Sequence, residues 1–126
     1  MNWYRFSQSQ TTANDIANKW RSQGINVYVF EKDDIIILDT IIVPPDRRKQ
    51  GIGTQIMNEL VNYADSVGKR FELSPGQRDD VHGTTSRNRL INFYKRFNFV
   101  ENKGRNKDYT TTRGMYRHPQ EIGIEQ

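Results

Sequence analysis

The sequence predicts an α/β domain with a mixed, partly antiparallel central sheet flanked by helices. Three observations predict it. Ile35 to Val43 is an almost unbroken apolar, β-branched run, the composition of a central strand. Two later segments, about Gly53 to Val67 and Leu90 to Phe97, carry apolar residues at the helical period. The chain then closes on two strand-like stretches separated by a charged turn, the pattern of a hairpin.

Taken in order, Trp3 to Phe6 reads as a short strand. Thr12-Ala13-Asn14-Asp15 resembles a capping box with Asp in the place of Glu, and Ile16, Ala17 and Trp20 share one face of the helix it starts. Gly24 is placed to end that helix. Ile25 to Glu31 alternates as a strand does, and Lys32-Asp33-Asp34 is a turn. The run from Ile35 to Val43 predicts a strand covered on both faces, with Asp39 as its one acid. Pro44-Pro45 stops it, because proline donates nothing to a ladder.

The first long helix is fixed by Ile52, Ile56, Met57, Leu60, Val61, Ala64 and Val67, with Gly68 as its stop. Phe71 to Leu73 is a short strand, and Gln77 to Thr85 a polar loop. Ser86 or Thr85 caps the next helix, whose apolar face is Leu90, Ile91, Phe93, Tyr94 and Phe97. Phe99-Val100 and Thr110 to Arg117 are the closing strands. The expectation is one domain over residues 1–118, followed by a poorly ordered tail over 119–126.

At 126 residues and 34% hydrophobic content, the chain suits a single modest core; its mean hydropathy is −0.88. It has no cysteine, which excludes a thiol nucleophile, a Cys-ligated zinc and a disulfide framework. No apolar run approaches the roughly 20 residues of a membrane span. Met1 to Arg5 lacks the basic and apolar regions of a signal peptide, so a cytoplasmic protein without membrane partners is expected. The net charge of +4 is uneven: residues 87–126 carry 9 basic and 4 acidic side chains, a net +5. That favours an anionic ligand or partner on this side, or simply a solvated basic face.

The stretch Val43 to Thr54 joins the apolar strand to the first long helix through a basic, glycine-punctuated turn. A helix start presents unpaired N–H groups and the positive end of its dipole, which suits a phosphate. Arg47, Arg48 and Lys49 add full charges. A dinucleotide-binding turn is not expected, because the third glycine position is Ile56 and a long loop replaces the tight turn. No Walker motif, metal-ligand cluster or Ser-His-Asp pattern stands out.

Arg48-Lys49-Gln50-Gly51-Ile52-Gly53 matches the R-x-x-G-x-G/A element of the GCN5-related N-acetyltransferases (GNAT), between a strand and a helix as in that family. Leu90 to Val100 resembles the family's second signature, a helix ending F-Y-x-x-x-G-F. Order and separation also fit, and the resemblance covers about residues 35 to 101. More loosely, Glu101 to Asp108 and Met115 to Arg117 are similar to small phage and mobile-element members, which would place the protein in a host cytoplasm. Asn98 stands where the family usually has Gly; Asn also tolerates a left-handed turn. The N-terminal part, which usually shapes the acceptor side, is shorter than in many members.

The resemblance implies acetyl transfer from acetyl-coenzyme A to a primary amine, of a protein or a small molecule, by direct attack and without a metal. The pyrophosphate would lie on the backbone of Arg48, Lys49, Gln50, Gly51, Ile52, Gly53 and Thr54, and the glycines would allow close approach. The pantetheine arm would pair with Ile41, Ile42 and Val43 like an added strand. A splayed or bulged strand end would free one N–H for the oxyanion. Tyr94 would be the general acid, since a phenol near about 10 can protonate a thiolate near about 8.5. Packing against Phe93 and Phe97 is the alternative for it.

Asp39 would be the base, its pKa raised by burial in the strand, or else it faces a hydrogen-bonding partner and does no chemistry. Glu72, Asp79, Asp80 and His82 are alternatives, and many members use water chains instead. Asn88 or Ser86 would touch the cofactor arm, although capping suits Ser86 better. Arg87 or Arg96 would hold the adenosine phosphate. Two other functions compete. Nucleic-acid binding or modification would use the basic C-terminal third with Phe93, Tyr94, Phe97, Phe99 and Tyr109 interleaved. A non-catalytic acyl-coenzyme-A binder would keep the grip and lose the chemistry.

Overall fold

The computed structural model describes residues 11–76, 79–80 and 86–120. The strand expected over Trp3 to Phe6, and His82, lie outside the described residues. The order is α1 (Ala13–Arg21), β1 (Asn26–Glu31), β2 (Ile35–Ile42), α2 (Ile52–Val67), β3 (Arg70–Leu73), β4 (Asp79–Asp80), α3 (Arg87–Lys95), β5 (Val100–Glu101) and β6 (Met115–Arg117). Short 3₁₀ turns occupy Pro45–Arg47 and Gly104–Asn106.

Local chemistry accounts for the helices. The Thr12 hydroxyl accepts from the Asp15 N–H at 3.1 Å, and the Asp15 carboxylate accepts from the Thr12 N–H at 3.0 Å, the reciprocal capping box. Ala13, Ile16, Ala17 and Trp20 form the buried stripe of α1. In α2 the stripe is Ile52, Ile56, Met57, Leu60, Val61 and Ala64; Val67, expected on it, is 43% exposed in the last turn, and Gly68 ends the helix at φ 69°. Burying each large aliphatic of this stripe contributes roughly 1.5–3 kcal/mol. Ser86 caps α3 by accepting from the Arg89 N–H at 3.4 Å. Asn98 follows α3 at φ 71°, the left-handed conformation anticipated for it.

Among the described residues the strands run β1-β2-β3-β6-β5, with β4 joined separately to β2. β1 is antiparallel to β2, and β3 is parallel to it over Ile35 to Ile37. β6 is antiparallel to both β3 and β5. The ladder between β2 and β3 stops at Ile37, and β2 then pairs in parallel with Asp79–Asp80 at Ile41 and Ile42. Part of the loop expected over Gln77 to Thr85 therefore acts as a strand.

A bulge divides β2. Its register against β1 moves from Tyr28 opposite Thr40 to Val29 opposite Leu38, leaving Asp39 as the extra residue. A one-residue slip exchanges the faces of a strand. Ile36 and Leu38 accordingly point to the core before the bulge, and Ile41 and Val43 after it. Coverage of β2 on both faces is corrected: Ile35, Ile37 and Ile42 are only half-buried, and their neighbours Tyr28 and Phe30 are 49% and 50% exposed. The helices gather on the opposite face, that of the cross-strand row Ile36, Phe71 and Arg117. There Glu31 takes hydrogen bonds from the Ala13 N–H and the Tyr63 hydroxyl, and Phe71 meets Phe99, which meets Tyr94.

The last strand is also shorter than the sequence suggests, starting at Met115 rather than Thr110. Asn102 explains this. Its amide donates to the Thr111 and Arg113 carbonyls at 3.3 and 2.9 Å, and its side-chain oxygen accepts from the Asp108 N–H at 2.7 Å. A side chain that satisfies three backbone groups competes with the ladder and holds this segment as a loop.

Candidate active site

The two sequence signatures meet at the start of α2. Val43, Arg48, Lys49, Gly51, Ile52, Gly53 and Thr54 line one cleft of about 80 Å³, closed on the far side by Phe93 of α3. Proline stops β2, and Lys49 and Gly51 then turn the chain through left-handed conformations at φ 67° and 71°. Gly51 caps α2 without a side-chain bond, so the first-turn N–H groups keep no partner within the helix. A Cβ on Gly51 would meet nothing within 4 Å; the glycine is there for its backbone angle.

The basic residues of this turn have structural as well as electrostatic roles. Arg48 Nε donates to the Val43 carbonyl at 2.8 Å and pins the turn to the end of β2. Arg47 reaches the Gln23 carbonyl at 2.9 Å. Gln50 lies outside the cleft and its amide contacts the Asp46 carbonyl at 3.4 Å. Arg96, just past α3, stacks over Phe93 and Phe97 and reaches the Thr54 hydroxyl at 3.5 Å. A fixed cation therefore stands over the positive end of α2, an arrangement that suits a polyanion.

The acetyltransferase (GNAT) domain model matches residues 19–101. The chain belongs to the GNAT family. An uncharacterized N-acetyltransferase of Methanocaldococcus jannaschii is 36% identical over 73 residues. That match covers 57% of this chain and 29% of the relative, so the chain spans well under half of that protein. Among solved structures, the anti-CRISPR protein AcrVA5 superposes with a TM-score of 0.53 at 26% identity, covering 73% of this chain and 87% of that one. The mixed sheet with its flanking helices is a GNAT fold.

Within this GNAT chain the remaining expected residues fall in separate places. Tyr94 is fully buried, its ring edge-on to Phe93 at 5.3 Å and to Phe99 at 6.0 Å. It is thus next to the residue that closes the cleft. Asp39 is exposed on the bulge and accepts from the Thr40 hydroxyl at 2.9 Å, so the burial expected of it is absent. Ile41 and Ile42 face Asp79 and Asp80 in the ladder. Asn88 is exposed in the first turn of α3 and is not in the cleft. Arg87 packs by Gly76 and Gly114 and does not line the cleft. Among the described residues no cluster of metal-ligating side chains occurs, and no helix is long and apolar enough to cross a membrane.

Glu72, a secondary candidate for the base, is buried at the last β2–β3 pair before the ladder breaks. Its carboxylate accepts from the Thr111 hydroxyl at 2.8 Å and lies 2.8 Å from Arg70 Nε. The sequence pattern did not reveal Thr111 as a partner, since it is 39 residues away. Nor did it mark Phe93 as a wall of the cleft, because its apolar periodicity looks the same as that of a core residue. The aromatic set invoked for nucleic acid is corrected: Phe93, Tyr94, Phe97 and Phe99 are all core residues, and of the five only Tyr109 is exposed.

Proposed function

We propose that this GNAT domain transfers an acetyl group from acetyl-coenzyme A to a primary amine. The observation that carries the reading is the cleft at the start of α2, where first-turn N–H groups, Arg48, Lys49 and the nearby Arg96 gather around Phe93. The residues fit a pyrophosphate: the N–H groups are fixed donors, and the guanidinium and ammonium groups supply charge. In the transfer, the amine nitrogen bonds to the thioester carbon, the C–S bond breaks and coenzyme A leaves as a thiolate. The ammonium proton of the acceptor passes to Asp39, Glu72 or water before attack; Tyr94 then gives the thiolate its proton and is restored by the second proton, which the nitrogen sheds as the amide forms.

The bulge at Asp39 supports an oxyanion donor in the middle of β2, because an extra residue turns backbone groups out of the ladder. The β3-side edge of Ile41 and Ile42 carries Asp79 and Asp80. A pantetheine arm pairing there has to replace that two-residue bridge, whereas Val43 already borders the cleft.

Calorimetry with acetyl-coenzyme A tests the reading. Micromolar binding that weakens in Arg96→Gln is expected, and absence of binding at high micromolar concentration overturns it. Binding without thiol release for any amine would make the chain an acyl-coenzyme-A binder instead.

A further inference from the structure

The segment from Lys103 to Thr110, between β5 and β6, presents a surface that acetyl transfer leaves unused. All of its residues except Asp108 are exposed. Its backbone is nonetheless fixed. The Asn102 side-chain oxygen accepts from the Asp108 N–H at 2.7 Å, and the Tyr116 hydroxyl donates to the Asn106 carbonyl. Arg70 pairs with Asp108 at 2.7 Å, and the Thr110 N–H donates to the same carboxylate at 2.9 Å. A loop already ordered loses little freedom when a ligand arrives.

The charges on this surface are unbalanced. Lys95 of α3 and Lys103 share a single carboxylate, Glu101, each at 3.4 Å. Arg105 makes no side-chain hydrogen bond or ion pair among the described residues, and the Lys107 side chain meets only the ring of Tyr109. The other acid, Asp108, is taken by Arg70. Such a surface attracts a polyanion. Beside it lies a groove of about 360 Å³, lined by Lys95, Phe99, Glu101, Lys103, Gly104 and Asn106. The groove shares no lining residue with the cleft at α2.

Tyr109 decides the class of polyanion. Its ring is 87% exposed, with the Lys107 ammonium 5.6 Å from the ring centre. The residues on either side of it, Asp108 and Thr110, are the anchored ones, so the ring stands out from a fixed backbone. An acidic peptide meets the cations but offers no regular run of flat π faces. A duplex offers phosphates but keeps its bases stacked on one another. A single strand offers both a charged backbone and free bases, the combination that cations interleaved with an aromatic ring recognise. We propose that this loop and the groove beside it bind single-stranded nucleic acid, with Lys103, Arg105 and Lys107 along the phosphates and a base stacked on Tyr109. This binding is independent of acetyl transfer.

Fluorescence anisotropy of the full chain with labelled oligo-rU and oligo-dT, each about 15 nucleotides long, tests the proposal. Micromolar binding at about 50 mM salt is expected, with a log–log salt slope of about −2, three phosphates at roughly 0.7 each. Tyr109→Ala should weaken binding at least about fivefold, and Tyr109→Phe should keep it. Replacing Arg105 and Lys107 together by Gln should make the slope shallower by about 1.4. Tighter binding of one oligomer identifies the strand as RNA or DNA. No binding by high-micromolar protein, a duplex bound as tightly as the single strand, or unchanged affinity in Tyr109→Ala overturns the proposal. So does equal displacement by a poly-glutamate peptide of the same charge, which marks a site for an acidic protein. Displacement by acetyl-coenzyme A also overturns it, because the strand then occupies the cleft at α2.

Discussion

Arg117 on the last strand closes two hydrogen bonds, at 2.7 and 3.0 Å, onto the carboxylate of Asp65 near the end of α2. The same guanidinium donates from Nε to the Phe97 carbonyl at 2.7 Å, where α3 has just ended. One buried side chain thus ties β6 to both helices that build the cleft. Replacing Asp65 by Ala leaves a guanidinium only 4% exposed without its counter-ion. We expect a loss of about 3 kcal/mol in chemical denaturation. A loss under about 0.5 kcal/mol, the level of a surface pair, would show that the tie is not structural.

The same pair sets a pH dependence. Burial pushes the Asp65 carboxyl up, but hydrogen bonds from Arg117 and the Gln120 N–H outweigh it and hold it below its ordinary 3.8. A depressed carboxyl stabilises the fold above its unfolded value, and that stabilisation is lost as pH falls through the folded value. Thermal midpoints should therefore drop below about pH 4, and the drop should be shallower in Asp65→Asn. Parallel curves for the two proteins would assign the acid sensitivity to other carboxyls.

Gly51 sits at φ 71° with open space around the position of a Cβ. Gly51→Ala therefore meets no clash, and its cost is backbone strain of about 1–2 kcal/mol. Because this residue precedes the first-turn N–H groups of α2, acetyl-coenzyme A affinity should fall along with stability. Unfolding curves and calorimetry on one preparation check both; a weakened fold with unchanged affinity would separate the turn from the ligand.

At φ 71°, Asn98 occupies the family's glycine position. Asn98→Gly should leave stability within about 1 kcal/mol, because Gly adopts this angle freely but costs more unfolded-state entropy. Asn98→Val should lose at least about 1 kcal/mol, since a β-branched residue disfavours this angle. Equal stability of the Gly and Val variants would mean that the segment relaxes to another turn.

Tyr94→Phe keeps the ring that packs on Phe93 and Phe99 and removes only the hydroxyl. With an acceptor in hand, we expect turnover to fall about a hundredfold while acetyl-coenzyme A affinity stays nearly intact. An unchanged rate would leave Tyr94 as a core residue alone.

The sequence by itself determined the elements whose causes are local. The Thr12–Asp15 capping box, the stripe of α2 from Ile52 to Ala64 ended by Gly68, a cap at Thr85 or Ser86 and the left-handed Asn98 each follow from neighbours within a few residues. The turn from Val43 to Thr54 was legible for the same reason, since proline, glycine and helix-start chemistry act over one or two turns. Only the tertiary structure decided what depends on partners far along the chain. The bulge that exposes Asp39 exists only in register with Tyr28 and Val29. The short β6 follows from Asn102, and the half-buried face of β2 from the described helices packing on the other side. The surroundings of Glu72 come from Thr111 and Arg70, on a loop and a strand that no periodicity connects. Apolar spacing shows which residues leave water; which surface they leave it against is set by pairing, and pairing is non-local.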